Sequence, residues 1–148
     1  MTIKRIASVI AVFFAVTLSS GCANMATATL TPGTDLGRLK SFYVIKQPKD
    51  KHGVNKLIED RLTKMGYTVK VGPELPGNTY GTDSTVRYLD KWVWDITLYM
   101  IELTITLRNP ANDFPMAKGY SMHTSLTRKS REEMVEEVLT NIFKSAKE

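Results

Sequence analysis

Residues 41–71 read SFYVIKQPKDKHGVNKLIEDRLTKMGYTVKV, and their hydrophobic period changes twice. Ser41 to Lys46 is a short β-rich run, and Pro48 stops it because proline has no amide hydrogen for a sheet ladder. From Gly53 the apolar residues Val54, Leu57, Ile58, Leu62 and Met65 recur at helical spacing. One stripe therefore meets a core, while Lys56, Glu59, Asp60 and Lys64 meet water. Gly66 stands where a helix ends in a left-handed residue, a conformation that only glycine adopts without a Cβ clash. Tyr67 to Val71 then alternates as a second strand. Strand, helix and strand over this length predict a βαβ unit with parallel strands and a right-handed crossover.

Toward the C-terminus, Gly72 to Asp83 (GPELPGNTYGTD) continues neither period and reads as a surface loop, a kind of segment that also carries function. Ser84 to Lys91 places Val86 and Tyr88 on one face of a strand. After Trp92-Val93-Trp94-Asp95, the residues Ile101, Leu103, Ile105 and Leu107 alternate up to Arg108. Asn109 to Asp113 is turn chemistry, and Met116 to Leu126 returns as the partner strand. A hairpin closing near Asn112 sets Ile101, Leu103, Ile105 and Leu107 opposite His123, Ser121, Gly119 and Ala117. Small residues at those positions would let a helix approach closely, so this face is expected to be core. Ser130-Arg131-Glu132-Glu133 fits a capping box that opens a last helix, with Met134, Val135, Val138, Leu139, Ile142 and Phe143 as its buried stripe. Glutamates near its start (Glu132, Glu136, Glu137) and Lys144 and Lys147 near its end suit the helix dipole. The order is β-α-β-β-β-β-α. It predicts an α/β (α+β) two-layer sandwich in which two helices cover one face of a mixed β-sheet.

The N-terminal end has a different character. Lys4 and Arg5 precede an uncharged apolar run from Ile6 to Leu18, whose helical length of about 20 Å falls short of the roughly 30 Å hydrocarbon core. A basic start, a short apolar stretch and small residues behind it describe a secretory signal peptide. Leu18-Ser19-Ser20-Gly21-Cys22 follows, with the chain's single cysteine at its end, and it resembles the lipobox of bacterial lipoproteins. It departs from the commonest form, because leucine sits four residues before the cysteine and Ser19 holds the usual leucine position. The resemblance implies cleavage after Gly21, acylation of Cys22, and a membrane partner reached through that N-terminal lipid anchor. Ala23, where an aspartate would signal inner-membrane retention, implies an outer-membrane anchor with the domain in the periplasm. Residues 1–21 are thus expected to be a signal peptide. Residues 22–38, rich in Ala, Thr, Asn and Gly, are expected to be the lipidated cysteine and a flexible tether, and residues 39–148 the periplasmic domain.

Composition narrows the chemistry. With 43% apolar and 24% charged residues, the chain has ordinary globular content rather than that of a disordered or disulfide-framework protein. One cysteine and two histidines cannot build a Cys/His zinc centre, so neither a metal nor a cofactor is expected. The net charge of +5 falls to +3 once Lys4 and Arg5 are removed, and no nucleic acid is expected as a partner of a secreted domain. The basic excess between Arg38 and Val71 reads as a solvated helix face, or alternatively as a contact for anionic phospholipid or lipopolysaccharide headgroups. No nucleophile elbow of the G-x-S-x-G kind occurs. Ser121 and His123 share a strand face, and Asp90 and Asp95 flank two tryptophans in a way that a glycosidase could use, but structural aromatics at a sheet bend account for the same residues. No catalytic residue is assigned.

Leu62-Thr63-Lys64-Met65-Gly66-Tyr67, Asp90-Lys91-Trp92-Val93-Trp94-Asp95 and the terminal Glu133-Met134-Val135 helix look like segments of small proteobacterial lipoproteins of the domain-of-unknown-function type. In architecture the chain is also similar to periplasmic α/β lipoproteins that serve as assembly factors, envelope-transport accessories or synthase activators. The expected function is a non-catalytic binding or accessory module of the cell envelope, with an envelope protein partner or self-association. The alternatives are a small envelope hydrolase acting on glycan or lipid, with a deep polar pocket near Asp90, Asp95 or His123, and a lipid-binding transport accessory with an apolar cavity. Trp92 and Trp94 are expected to point to one side and to be mainly structural. The sheet face away from the helices is expected to carry Ile96, Leu98 and Met100 with Tyr120, Met122 and Leu126, interleaved with Glu102, Thr104 and Lys118. Leu98, Met100, Tyr120, Met122, Trp92 and Trp94 therefore form the candidate interaction surface. Either a cover formed by the tether or the 72–83 loop, or a bulge near Met100, would remove that surface.

Overall fold

The computed structural model describes residues 24–147; the expected signal peptide and Cys22 lie outside them. Six strands form one sheet: β1 (Met25–Leu30), β2 (Ser41–Ile45), β3 (Thr68–Gly72), β4 (Ser84–Asp95), β5 (Thr97–Arg108) and β6 (Pro115–Met122). Two helices accompany it, α1 (Val54–Lys64) and α2 (Arg131–Ser145). The strand order across the sheet is β1-β6-β5-β4-β2-β3. β2 runs parallel to β3 and to β4, and the other neighbours are antiparallel, so the sheet is mixed as expected.

Both helices start and stop as their sequences dictate. The Asp50 carboxylate accepts hydrogen bonds from the amides of His52, Gly53, Val54 and Asn55 at 2.7–3.3 Å, and so satisfies the unpaired donors at the start of α1. At the other end Gly66 has φ +94°, the Tyr67 amide bonds to the Leu62 carbonyl, and the Gly66 amide bonds to that of Thr63, which is a Schellman ending. Ser130 and Glu133 form the reciprocal capping box of α2. The space between helices and sheet is filled by Phe42, Val44, Ile58, Leu62, Leu103, Ile105, Leu107, Leu139 and Ile142, all fully buried. Leu103, Ile105 and Leu107 pair with Ser121, Gly119 and Ala117, and the missing side chain at Gly119 is filled by Val138 and Ile142 of α2.

Two expectations are corrected. Residues 25–30 are no tether: they form β1, paired with β6 from Met25 opposite Met122 to Leu30 opposite Ala117. Ala28 and Leu30 pack on the core while alternate threonines face outward. Small uncharged residues suit a linker, but they equally suit a strand that lies against a glycine-bearing neighbour, and Ala28 stands opposite Gly119. The second correction concerns Met100, which is only 2% exposed and belongs to the core. Lys91 pairs with Glu102 but Trp92 pairs with Met100, so Ile101 is an extra residue that reverses the inside–outside alternation of β5.

Candidate functional site

The bulge divides the β4–β5 hairpin into two parts with different surroundings. On the helix-free face, registry aligns Thr27, Tyr120, Thr104 and Leu89 in one row, and Thr29, Lys118, Thr106 and Arg87 in the next. Threonines and charges thus dominate a face expected to be half apolar. Tyr120 and Met122 lie half-buried on it. The 72–83 loop covers the β2 side, where Tyr80 packs on Tyr43 with ring centroids 4.9 Å apart and Leu75 and Ile45 join them. Beside that cover remains a cavity of about 300 Å³ lined by Ile45, Gln47, Arg87, Tyr88, Leu89, Thr104, Thr106 and Arg108. Its arginines are committed: Arg87 pairs with Glu74, and Arg108 Nε lies 2.8 Å from Asp113.

Beyond the bulge the hairpin presents Trp94 opposite Leu98 and ends on Ile96, exposed by 75%, 50% and 86% respectively. Trp92 does not share Trp94's setting. It is half-buried against the core and stacks on His52 at 3.9 Å, while its indole N–H donates to Asp90. Trp92, His52, Leu98 and Tyr99 line a groove of about 420 Å³ whose other wall is Lys129 to Glu132 at the start of α2. Arg128 closes its rim: the guanidinium lies 3.9 Å over the Tyr99 ring, donates to the Thr97 hydroxyl at 2.8 Å and reaches Asp95 at 3.3 Å. The candidate surface residues therefore fall in four settings. Trp94 and Leu98 lie at the hairpin end, Trp92 in the groove, Tyr120 and Met122 on the outer face, and Met100 in the core.

Ser121 and His123 do come together with a carboxylate, though not in a catalytic order. The Ser121 hydroxyl and His123 Nε2 both donate to the same oxygen of Glu137, at 2.6 and 2.7 Å, and Lys129 Nζ donates to the other at 2.5 Å. A hydrolytic triad needs the histidine between serine and acid, whereas here the acid lies between serine and histidine. Ser121 is fully buried and His123 nearly so. Burial opposes ionisation of Glu137, but the three hydrogen bonds outweigh it and hold the carboxyl down at about 2. Glu137 was read only as a dipole-compensating residue. Its role was nevertheless signalled, since a serine and a histidine on an inward strand face require a buried partner. The proposed acids Asp90 and Asp95 are likewise engaged, with Trp92 and Arg128. Among the described residues, no group of three or more His, Cys, Asp or Glu side chains could hold a metal ion.

No protein-family model matches the chain, and no curated protein does either. The fold is similar to that of PelC from Paraburkholderia phytofirmans, a dodecamer, in two solved structures. One is of a single-residue variant, with a TM-score of 0.58 at 15% identity, covering 79% of this chain and 97% of that one. The other has a TM-score of 0.57 at 16% identity, covering 80% and 98%. A PDZ domain protein from Parabacteroides distasonis matches with a TM-score of 0.50 at 12% identity, over 75% of this chain and 32% of that one. At these identities the likeness is one of fold.

Proposed function

We propose that the chain is an outer-membrane-anchored periplasmic lipoprotein whose domain is a non-catalytic binding or accessory module of the cell envelope. The observation that carries the non-catalytic part is the arrangement at Glu137. The buried Ser121 and His123, the pair best suited to hydrolysis, both bond to one carboxylate, out of reach of any substrate. The anchoring part is supported by the lipobox-like segment ending at Cys22. Binding is assigned to the outer sheet face, where the cavity beside Leu89 is open and where apolar, hydroxyl and paired charged groups alternate.

A photo-crosslinking residue at Leu89 tests this in intact envelopes, with one at the solvent-facing Lys144 as control. A discrete adduct from position 89 alone supports the assignment, and equal labelling from both positions removes it. A second copy of the chain is one candidate occupant, and the mass of the adduct identifies it. Cys22→Ser should abolish labelling by a clickable palmitate analogue and leave the signal segment uncleaved. Persistent labelling would place the anchor elsewhere.

A further inference from the structure

Seven large apolar side chains are exposed among the described residues: Met25, Leu89, Trp94, Ile96, Leu98, Phe114 and Leu126. Five of them gather at one end of the domain. Trp94, Ile96 and Leu98 form the end of the β4–β5 hairpin, and Leu126 lies in the connection between β6 and α2. Arg128, two residues on, joins that connection to the hairpin through Thr97 and Asp95. Met25 begins β1 beside them, and the Thr127 hydroxyl donates to the Asn24 side chain at 2.5 Å. Leu126 is 93% exposed. Ile96 adds an independent sign, since it holds φ +62°, a left-handed conformation that strains a β-branched residue and that glycine or asparagine would adopt freely. An isoleucine kept there presents an apolar side chain at the cost of backbone strain.

The start of the chain says what covers this end. Cys22 is two residues from Asn24, whose side chain is fastened to the Leu126 connection. Acyl chains on Cys22 would bring the bilayer to the same place. We infer that the end carrying Met25, Trp94, Ile96, Leu98 and Leu126 seats in the headgroup boundary of a phospholipid bilayer beside the anchor. This rests on the reading of Cys22 as lipidated. It replaces a domain held away from the membrane with one held against it in a fixed orientation, hairpin end down and outer sheet face to the side. The contact is apolar in character, because Arg128 is already paired with Asp95, and salt should leave it in place. Trp94 suits such a boundary, where an aromatic body meets lipid and the indole N–H meets water.

The mature chain, purified from envelopes and reconstituted in phosphatidylethanolamine–phosphatidylglycerol vesicles, carries its own reporters in Trp92 and Trp94. With Trp92→Phe, Trp94 is the sole tryptophan. Its emission should shift to the blue on reconstitution, be quenched by nitroxide-labelled phospholipid, and be several-fold less accessible to aqueous iodide than a tryptophan placed at Phe114 in a chain with both natural tryptophans changed to phenylalanine. Equal iodide quenching at the two positions overturns the proposal. Shielding of Trp94 from both iodide and nitroxide lipid also overturns it, because a protein surface would then cover this end. Palmitate-analogue labelling of the same preparation separates the two readings. A labelled chain with Trp94 open to iodide rejects the docking alone, whereas an unlabelled chain rejects the anchor and the docking with it.

Discussion

A methyl group on Gly119 would lie 2.7 Å from Val138 Cγ1, because α2 crosses β6 at the one position where the strand has no side chain. Ile142 stands equally close at 2.8 Å. The helix therefore sits lower on the sheet than any other residue at 119 would permit. Gly119→Ala should cost about 1–3 kcal/mol, the usual penalty of overpacking a tight core, read from the equilibrium urea midpoint. An unchanged midpoint would mean that α2 rises without loss.

Asp50 should matter more than a surface aspartate. It caps four amides and accepts from the Tyr88 hydroxyl at 2.7 Å, which ties the start of α1 to β4. Burial opposes its ionisation, but the hydrogen bonds from Tyr88 and the backbone hold its pKa below the ordinary value. Loss of a helix cap costs about 1–2 kcal/mol, and Asp50→Ala should reach the upper part of that range. Amide hydrogen exchange should quicken first in the opening turn of α1.

Acid should act through Glu137. Its folded pKa of about 2 lies below the ordinary 4.5, so its contribution is complete above pH 4.5 and disappears as pH falls toward 2. Stability measured in urea should decline across that window. Glu137→Gln should lower stability at neutral pH by about 3 kcal/mol, as expected when one member of a buried charged cluster is removed. It should also make the acid decline shallower, though not flat, because Asp50, Asp83 and Glu133 are held low as well. An unaltered slope would assign the acid sensitivity to those other carboxylates.

The bulge at Ile101 makes neighbours differ sharply. Met100→Lys places a charge in the core and should abolish cooperative thermal unfolding, while Leu98→Lys should change stability by no more than about 0.5 kcal/mol. Trp92→Ala should destabilise by about 2–3 kcal/mol, below the cost for a fully buried aromatic, and Trp94→Ala should leave the melting temperature nearly unchanged. Equal losses at the two tryptophans would show that both are structural.

Periodicity and punctuation made most of the architecture legible. The βαβ unit, the glycine ending at Gly66, the capping box at Ser130 and the pairing of Leu103, Ile105 and Leu107 with Ser121, Gly119 and Ala117 all follow from local residue patterns. What was hidden depends on distant partners. β1 consists of residues with no strong strand signature and is made a strand by β6. A bulge has no period of its own, so Ile101 could not be told from its neighbours, and the alternation was carried one residue too far to Met100. Ser121 and His123 signalled that a buried partner was needed, but its identity as Glu137 was hidden, because the cluster joins strand to helix across the core.

The pairing of β1 with β6 also sets an order of events. Thr29 and Lys118 face each other across 89 positions, so the first of the described strands finds its neighbour in the last. Synthesis from the N-terminus delivers β1 early and β6 much later. Until β6 arrives, residues 25–30 lack the strand that pairs with them. Closure of this sheet edge therefore waits on a contact of long sequence separation and comes late in folding.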